Sequence, residues 1–196
     1  MFADQLLRAH PDLPAEEEGR MNDTGLREDF VERVFAHHRL RRFLEDGPTR
    51  HGLVRFHTAH KAMLFTRHEP GSRELGAFLG NAGRQDIGAL TQGYADRFRA
   101  ILAHRSTAGR HTNVLHHAMG HLKRILDSAQ KRQLLAAIED YRLGHQPRSL
   151  ALTLIDFLAR SHEVEYLRGQ LYFDPCPKEL LPGDRTRRAW PRTSVA

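Results

Sequence analysis

Apolar side chains recur along most of the chain at close to helical spacing. Between Leu26 and Leu44 they fall at Phe30, Val34, Phe35, Leu40, Phe43 and Leu44, and the pattern stops at Gly47-Pro48, which predicts a long helix with a marked end. Thr49 suits the N-cap of a second helix reaching about His68, with Leu53, Phe56, His60, Met63 and Leu64 on one side and Pro70-Gly71 beyond its end. A short helix over Ser72 to Leu79 and a longer one over Gln85 to His104, weakened by Gly88 and Gly93, come next. The basic connector RSTAGR at 105–110 leads to a helix over Thr112 to Leu126. Asp127 and Gln130 then form a capping box for a helix to Leu143, which Gly144 stops. Ser149 caps a segment, with Leu150, Leu152, Leu154, Ile155, Phe157 and Leu158, that is apolar nearly all round, the pattern of a central buried helix. No alternating run bounded by hairpin turn pairs occurs, and no repeat of fixed length. The expected fold is all-α, a single compact bundle of about six or seven helices. Past Gln170 the proline-rich LYFDPCPKELLPGD reads as an extended strap.

Length and composition narrow the class. The 196 residues, 40% of them hydrophobic, suit one main core. The longest apolar stretch, Ser149 to Ala159, contains Asp156 and falls well short of the roughly 20 residues of a membrane span. The opening MFADQLLRAHPDLPAEEEGR is acidic where a secretory signal needs a basic start and an apolar run, so the expected location is the cytoplasm. Cys176 is the single cysteine, which excludes an internal disulfide, an all-cysteine zinc site and an iron–sulfur cluster held by this chain alone.

Charge is unevenly placed. The overall +6 conceals an acidic stretch over residues 1–32 and two basic blocks, 33–73 and 84–132, which also hold most of the 14 histidines. A further basic run, Arg185, Arg187, Arg188 and Arg192, closes the chain. Such blocks suit a polyanionic partner, and equally a solvated helix surface.

On the predicted 112–126 helix, Leu115, Ala118, Met119, Leu122, Ile125 and Leu126 form the core stripe. Asn113, His117, Gly120 and Arg124 run along the opposite side, flanked by His116 and His121. A glycine inside a helix costs about 1 kcal/mol relative to alanine, so Gly120 suggests close approach of a ligand or another backbone. On the second helix His57 and His60 share the apolar side, with Lys61 one turn beyond His57. His117 and His121, spaced i and i+4, are with His57 and His60 the side chains that would hold a divalent metal. No glutamate lies between His117 and His121 and no acidic residue lies near, so no metal and no catalytic residue is assigned. Phosphate loop, nucleophile elbow and dinucleotide fingerprint are all missing. The residues alone describe a basic, histidine-rich helical domain suited to an anion such as nucleic acid.

Four ordered segments, FHTAHK at 56–61, HTNVLHHAMGHLKRIL at 111–126, YRLG at 141–144 and QLYFDPCPKEL at 170–180, resemble the YbgA-type domain, a bacterial helical family of unknown function. The resemblance spans about residues 30–182. In that family the domain stands alone or follows a domain like thiouracil desulfidase, an iron–sulfur enzyme, and in fusions acting on tRNA thiouridine the helical half is thought to recognise RNA. Residues 1–25 resemble the end of such a desulfidase domain and its linker, which leaves 26–182 as the helical domain and 183–196 as a basic, disordered tail. No cofactor is expected in this chain, the cluster belonging to the desulfidase domain that it lacks.

The resemblance implies an accessory module that binds tRNA or another structured RNA for a desulfidase in another domain or chain, without catalysis of its own. Arg55, Lys61, Arg110, Lys123 and Arg124 would contact phosphates. His57, His111, Asn113 and His117 would bond bases or ribose hydroxyls, and Tyr141 would stack on an unpaired base. Two alternatives stand beside it: an enzyme built on His57, His60, His111 and His117 acting on a nucleotide or RNA, and a module whose basic face docks on a separate desulfidase chain.

Overall fold

The computed structural model describes residues 13–177 together with Gln5, Ala9 and Leu180. Among them the chain forms a short 3-10 turn, Glu18–Asn22, and then eight α-helices with no strand. These are α1 (Thr24–Glu45), α2 (Arg50–Arg67), α3 (Glu69–Gly80), α4 (Ile87–Ala103), α5 (Ala108–Leu122), α6 (Ser128–Arg142), α7 (Arg148–Ser161) and the single turn α8 (Glu165–Arg168). The architecture is the all-α bundle that the apolar spacing predicts. The 183–196 tail, and most of the first 12 residues, lie outside the described part.

Helix starts follow side-chain caps. Asp23, Thr49, Asp86 and Thr107 each accept a backbone N–H from the first turn of α1, α2, α4 and α5. Asp127 and Gln130 form the expected reciprocal box at α6. Gly144, at φ +76°, turns the chain out of α6.

Several boundaries differ from the sequence expectation. Helix α3 starts at Glu69 and runs through Pro70 and Gly71, because proline is harmless in a first turn and His68 caps the helix, its Nδ1 accepting from the Gly71 N–H at 3.0 Å. Helix α5 starts four residues early, at Ala108, and stops at Leu122, so Lys123, Arg124 and the exposed Ile125 follow its end. At α7 Pro147, not Ser149, occupies the cap position, without a side-chain bond. That helix is not central, since Phe157 is 63% exposed and Leu150 40%. Gly120 faces open space with no atom within 4 Å of where a Cβ would sit, so no backbone approaches it closely.

The centre belongs to α2 and α5. Helix α2 packs on α3, α4 and α5, and α5 packs on α2, α6 and α7. Leu53, Met63, Leu64, Tyr94, Phe98, Leu115, Leu122, Leu134, Ile138 and Ile155 interlock between them in one apolar core. The Arg110 guanidinium donates to the Arg67 carbonyl at 2.7 Å, which fixes the start of α5 beside the end of α2. No described helix is long and apolar enough to cross a membrane.

Under this core lies a buried ionic network. Arg148 donates to Glu28 and Glu32, while Arg67 pairs with Asp29 at 3.0 Å and reaches Glu32 at 3.8 Å. Burial would strip Arg148 of its proton, but Glu32, Tyr172 and Glu28 more than compensate and hold it charged. Burial also opposes ionisation of Asp29, yet the Arg67 charge and the Ser106 hydroxyl and amide keep its carboxyl below the usual range.

The chain after α8 crosses α2 as a strap of turns. The Gln170 side-chain amide donates to the Thr58 carbonyl at 2.8 Å and accepts from the Ala62 N–H at 3.0 Å. Those are the two groups that a regular α-helical turn pairs with each other, so a side chain from more than 100 residues away is threaded into the helix ladder. Leu171 N–H donates to the Ala59 carbonyl and Arg39 to the Pro175 carbonyl, and Tyr172 and Cys176 are buried beneath.

Candidate functional site

Antiparallel packing of α2 and α5 leaves a trough between them, closed at one side by α8 and the strap. Helix α2 contributes Lys61, Ala62 and Phe65, α3 contributes Glu69 and Arg73, and α5 contributes Arg110, Asn113, Val114, His117 and Ala118. Tyr166 and Leu167 of α8 and Gln170 and Phe173 of the strap complete the wall. The cavity is about 360 Å³.

The spacing on α5 explains the geometry, because positions 110, 113, 114, 117 and 118 form one continuous helical face. Its outer edge is polar and its inner edge apolar, so the trough has an apolar floor and a cationic rim. Lys61, Arg73 and Arg110 stand against one carboxylate, Glu69, which Arg73 already binds at 2.7 Å. Arg110 spends bonds on the Arg67 and Arg105 carbonyls, which orient its guanidinium without neutralising it. Arg73 also lies over the Phe65 ring at 5.6 Å. His121 packs on Tyr166 with ring centroids 4.5 Å apart, and His117 packs on His121 at 5.0 Å.

Of the residues singled out from sequence, Lys61, Arg110, Asn113 and His117 meet in this trough. The others lie elsewhere. Arg55 is exposed one and two-thirds turns before Lys61 on α2, and Lys123 and Arg124 are exposed after α5 ends. Tyr141 is half-buried in a second cleft with Glu28, Asp29, His111 and Arg148.

The three inward histidines belong to the core. His60 is 1% exposed; its Nδ1–H donates to the Phe56 carbonyl at 2.8 Å and its Nε2 accepts from Arg39 at 3.2 Å, which fixes one neutral tautomer. Burial pushes its pKa down to about 3. His111 meets the Tyr172 hydroxyl at 2.8 Å with the Arg148 guanidinium 3.1 and 3.2 Å from its ring nitrogens, and burial with that charge lowers it to about 2. His57 touches the Tyr94 hydroxyl at 3.5 Å, and burial followed by the Lys61 charge lowers it to about 4. His57 and His111 are therefore buried outside the trough, His111 lining only the second cleft, and the four histidines of the enzyme alternative do not form one cluster around the trough. Among the described residues no group of three or more His, Cys, Asp or Glu side chains is placed to hold a metal. Cys176 is buried and alone, so the chain offers no ligand set for an iron–sulfur cluster.

Phe65, Arg73, Tyr166, Gln170 and Phe173 join the trough without having been singled out as site residues. Arg73 and Phe65 follow from the helical register of α2 and α3. Tyr166 and Phe173 carry no periodic signal, since they lie on a single-turn helix and a strap.

A family model described as "Protein of unknown function (DUF1722)" matches residues 61–177, a span that contains every residue of the trough. Over 149 residues the chain is 33% identical to the "Uncharacterized protein YbgA" of Escherichia coli (strain K12), an alignment that covers 76% of this chain and 88% of that protein. No solved structure matches it.

Proposed function

The chain belongs to the DUF1722 family, and from that premise we propose that it is an RNA-binding module that holds tRNA or a similarly structured RNA. The observation that carries the reading is the convergence of Lys61, Arg73 and Arg110 on one trough whose single carboxylate is already paired. Each phosphate neutralised by such a cation releases counterions and adds to the salt dependence of binding. Lys123 and Arg124, exposed just beyond α5, extend the positive surface for an RNA longer than the trough.

In the fuller form of this reading the module serves a thiouridine or thiouracil desulfidase acting from another domain or chain, residues 1–25 being the junction to such a domain and 26–182 the RNA-binding unit. The catalytic cluster would then belong to that partner, consistent with the single cysteine here.

Fluorescence anisotropy with thiolated tRNA, unmodified tRNA and duplex DNA of equal length, at two salt concentrations, tests both levels. A preference for tRNA that survives the higher salt supports RNA recognition, and a further preference for thiolated tRNA supports the desulfidase role. Equal binding to all three that collapses with salt reduces the surface to generic electrostatics and defeats the proposal.

A further inference from the structure

We propose that the trough between α2 and α5 is a pocket for one unstacked nucleotide, an inference that rests on the RNA-binding reading and narrows it from a surface to a site. Its size, about 360 Å³, lies at the small end of ligand pockets, about 300–1,000 Å³. A duplex cannot enter such a space, whereas a single base turned out of its stack can.

The lining suits that occupant. Phe65, Tyr166 and Phe173 bring aromatic rings to one apolar enclosure with Val114 and Leu167. Rings of this kind bind a base through its π-face, which a stacked duplex has already committed elsewhere. Positive charge stands at both ends. Arg110 and His117 are two turns apart on α5, about 10 Å along the axis. Arg110 is tied to the end of α2 by the Arg67 carbonyl, so Lys61, earlier on α2, lies toward the His117 end. The phosphates on either side of one nucleotide would therefore meet Arg110 at one end and Lys61 at the other.

Base reading falls to Asn113. It sits midway between Arg110 and His117, and its amide has no hydrogen-bond partner among the described residues. The other amide in the lining, Gln170, has both of its functions engaged by α2. Asn113 offers a free donor and acceptor together on one planar amide, the combination that recognises a base edge.

The test compares binding of the full chain to a fully paired RNA hairpin and to the same hairpin with one bulged nucleotide, by fluorescence anisotropy. The bulged RNA should bind about tenfold tighter, within the range of one aromatic-stacked base. Tyr166→Ala and Asn113→Ala should each bring the bulged RNA to the affinity of the paired one, with paired binding unchanged. Tyr166→Phe should keep most of the preference, since it retains the ring. Should Tyr166→Ala unfold, the exposed Asn113→Ala still decides the matter. Equal affinity of the wild type for both RNAs overturns the pocket and leaves the RNA-binding reading standing; absence of binding to either overturns both.

Discussion

Lowering the pH from 7 to 5 should unfold this protein far more readily than its charge balance suggests, because three imidazoles are built into the core in neutral form. Burial lowers His57 to about 4, His60 to about 3 and His111 to about 2. An unfolded imidazole titrates near 6.5. Each histidine has a depressed folded pKa, so its contribution to stability is present above about 6.5 and is lost as the pH falls, the unfolded chain binding the proton that the native chain refuses. By pH 5 each would have cost about 2 kcal/mol relative to pH 7, or about 6 kcal/mol together. That is a large part of the roughly 5–15 kcal/mol that holds a domain together. Glu28 works in the opposite sense. Burial raises its folded pKa, so its contribution is fullest below the ordinary glutamate value and declines as the pH rises. The three histidines account for an uptake of about two to three protons on unfolding between about pH 6 and 5. Urea denaturation followed by helical circular dichroism at pH 7, 6 and 5 measures it. His57→Gln should flatten the dependence by about one proton. A stability loss of less than about 1 kcal/mol between pH 7 and 5 would refute the neutral, buried state of these histidines.

The remaining predictions concern single features. Gly120→Ala should stabilise the protein by up to about 1 kcal/mol in thermal denaturation, since the new Cβ meets nothing. Gly71→Ala should destabilise it by a similar or larger amount, because the Cβ would fall 2.6 Å from the His68 Nδ1 that caps α3; an unchanged melting temperature would contradict that cap. Arg148→Met should cost about 3–5 kcal/mol by chemical denaturation, as it leaves Glu32 and Glu28 buried without their common partner. Gln170→Ala should cost about 1–3 kcal/mol and change amide exchange most at Ala62, whose N–H it now occupies.

Helix existence was legible because the bundle is amphipathic, and the ends were legible wherever a conventional cap stood, as at Thr49, Asp127 and Gly144. The start of α3 was not, because His68 caps through a ring nitrogen, and Pro70 looks like a stop although a first turn tolerates it. The all-round apolar α7 misled for a different reason. Periodicity reports which faces could be buried but not which neighbours cover them, and Phe157 and Leu150 remain exposed. The same limit divides the site. Lys61, Arg110, Asn113 and His117 could be found because each lies on the outer edge of its helix. His57 already stood on the apolar side of its helix in the sequence pattern, but its burial and that of His111 depend on Tyr94 and Tyr172, which lie 37 and 61 positions further along the chain.

The strap across α2 also imposes an order on biosynthesis. The contacts that Gln170 and Pro175 make with α2 and Arg39 span 108 to 136 residues, a high sequence separation in a helical protein whose other contacts are mostly local and quick to form. A nascent chain on the ribosome can assemble α2 through α7 with the Thr58–Ala62 turn paired to itself, but the final wall of the trough, Tyr166 and Phe173, arrives only when the strap emerges and docks. The trough is thus the last feature of the bundle to be completed, and a nascent chain still short of Gln170 has a nearly complete bundle with one wall of the trough missing.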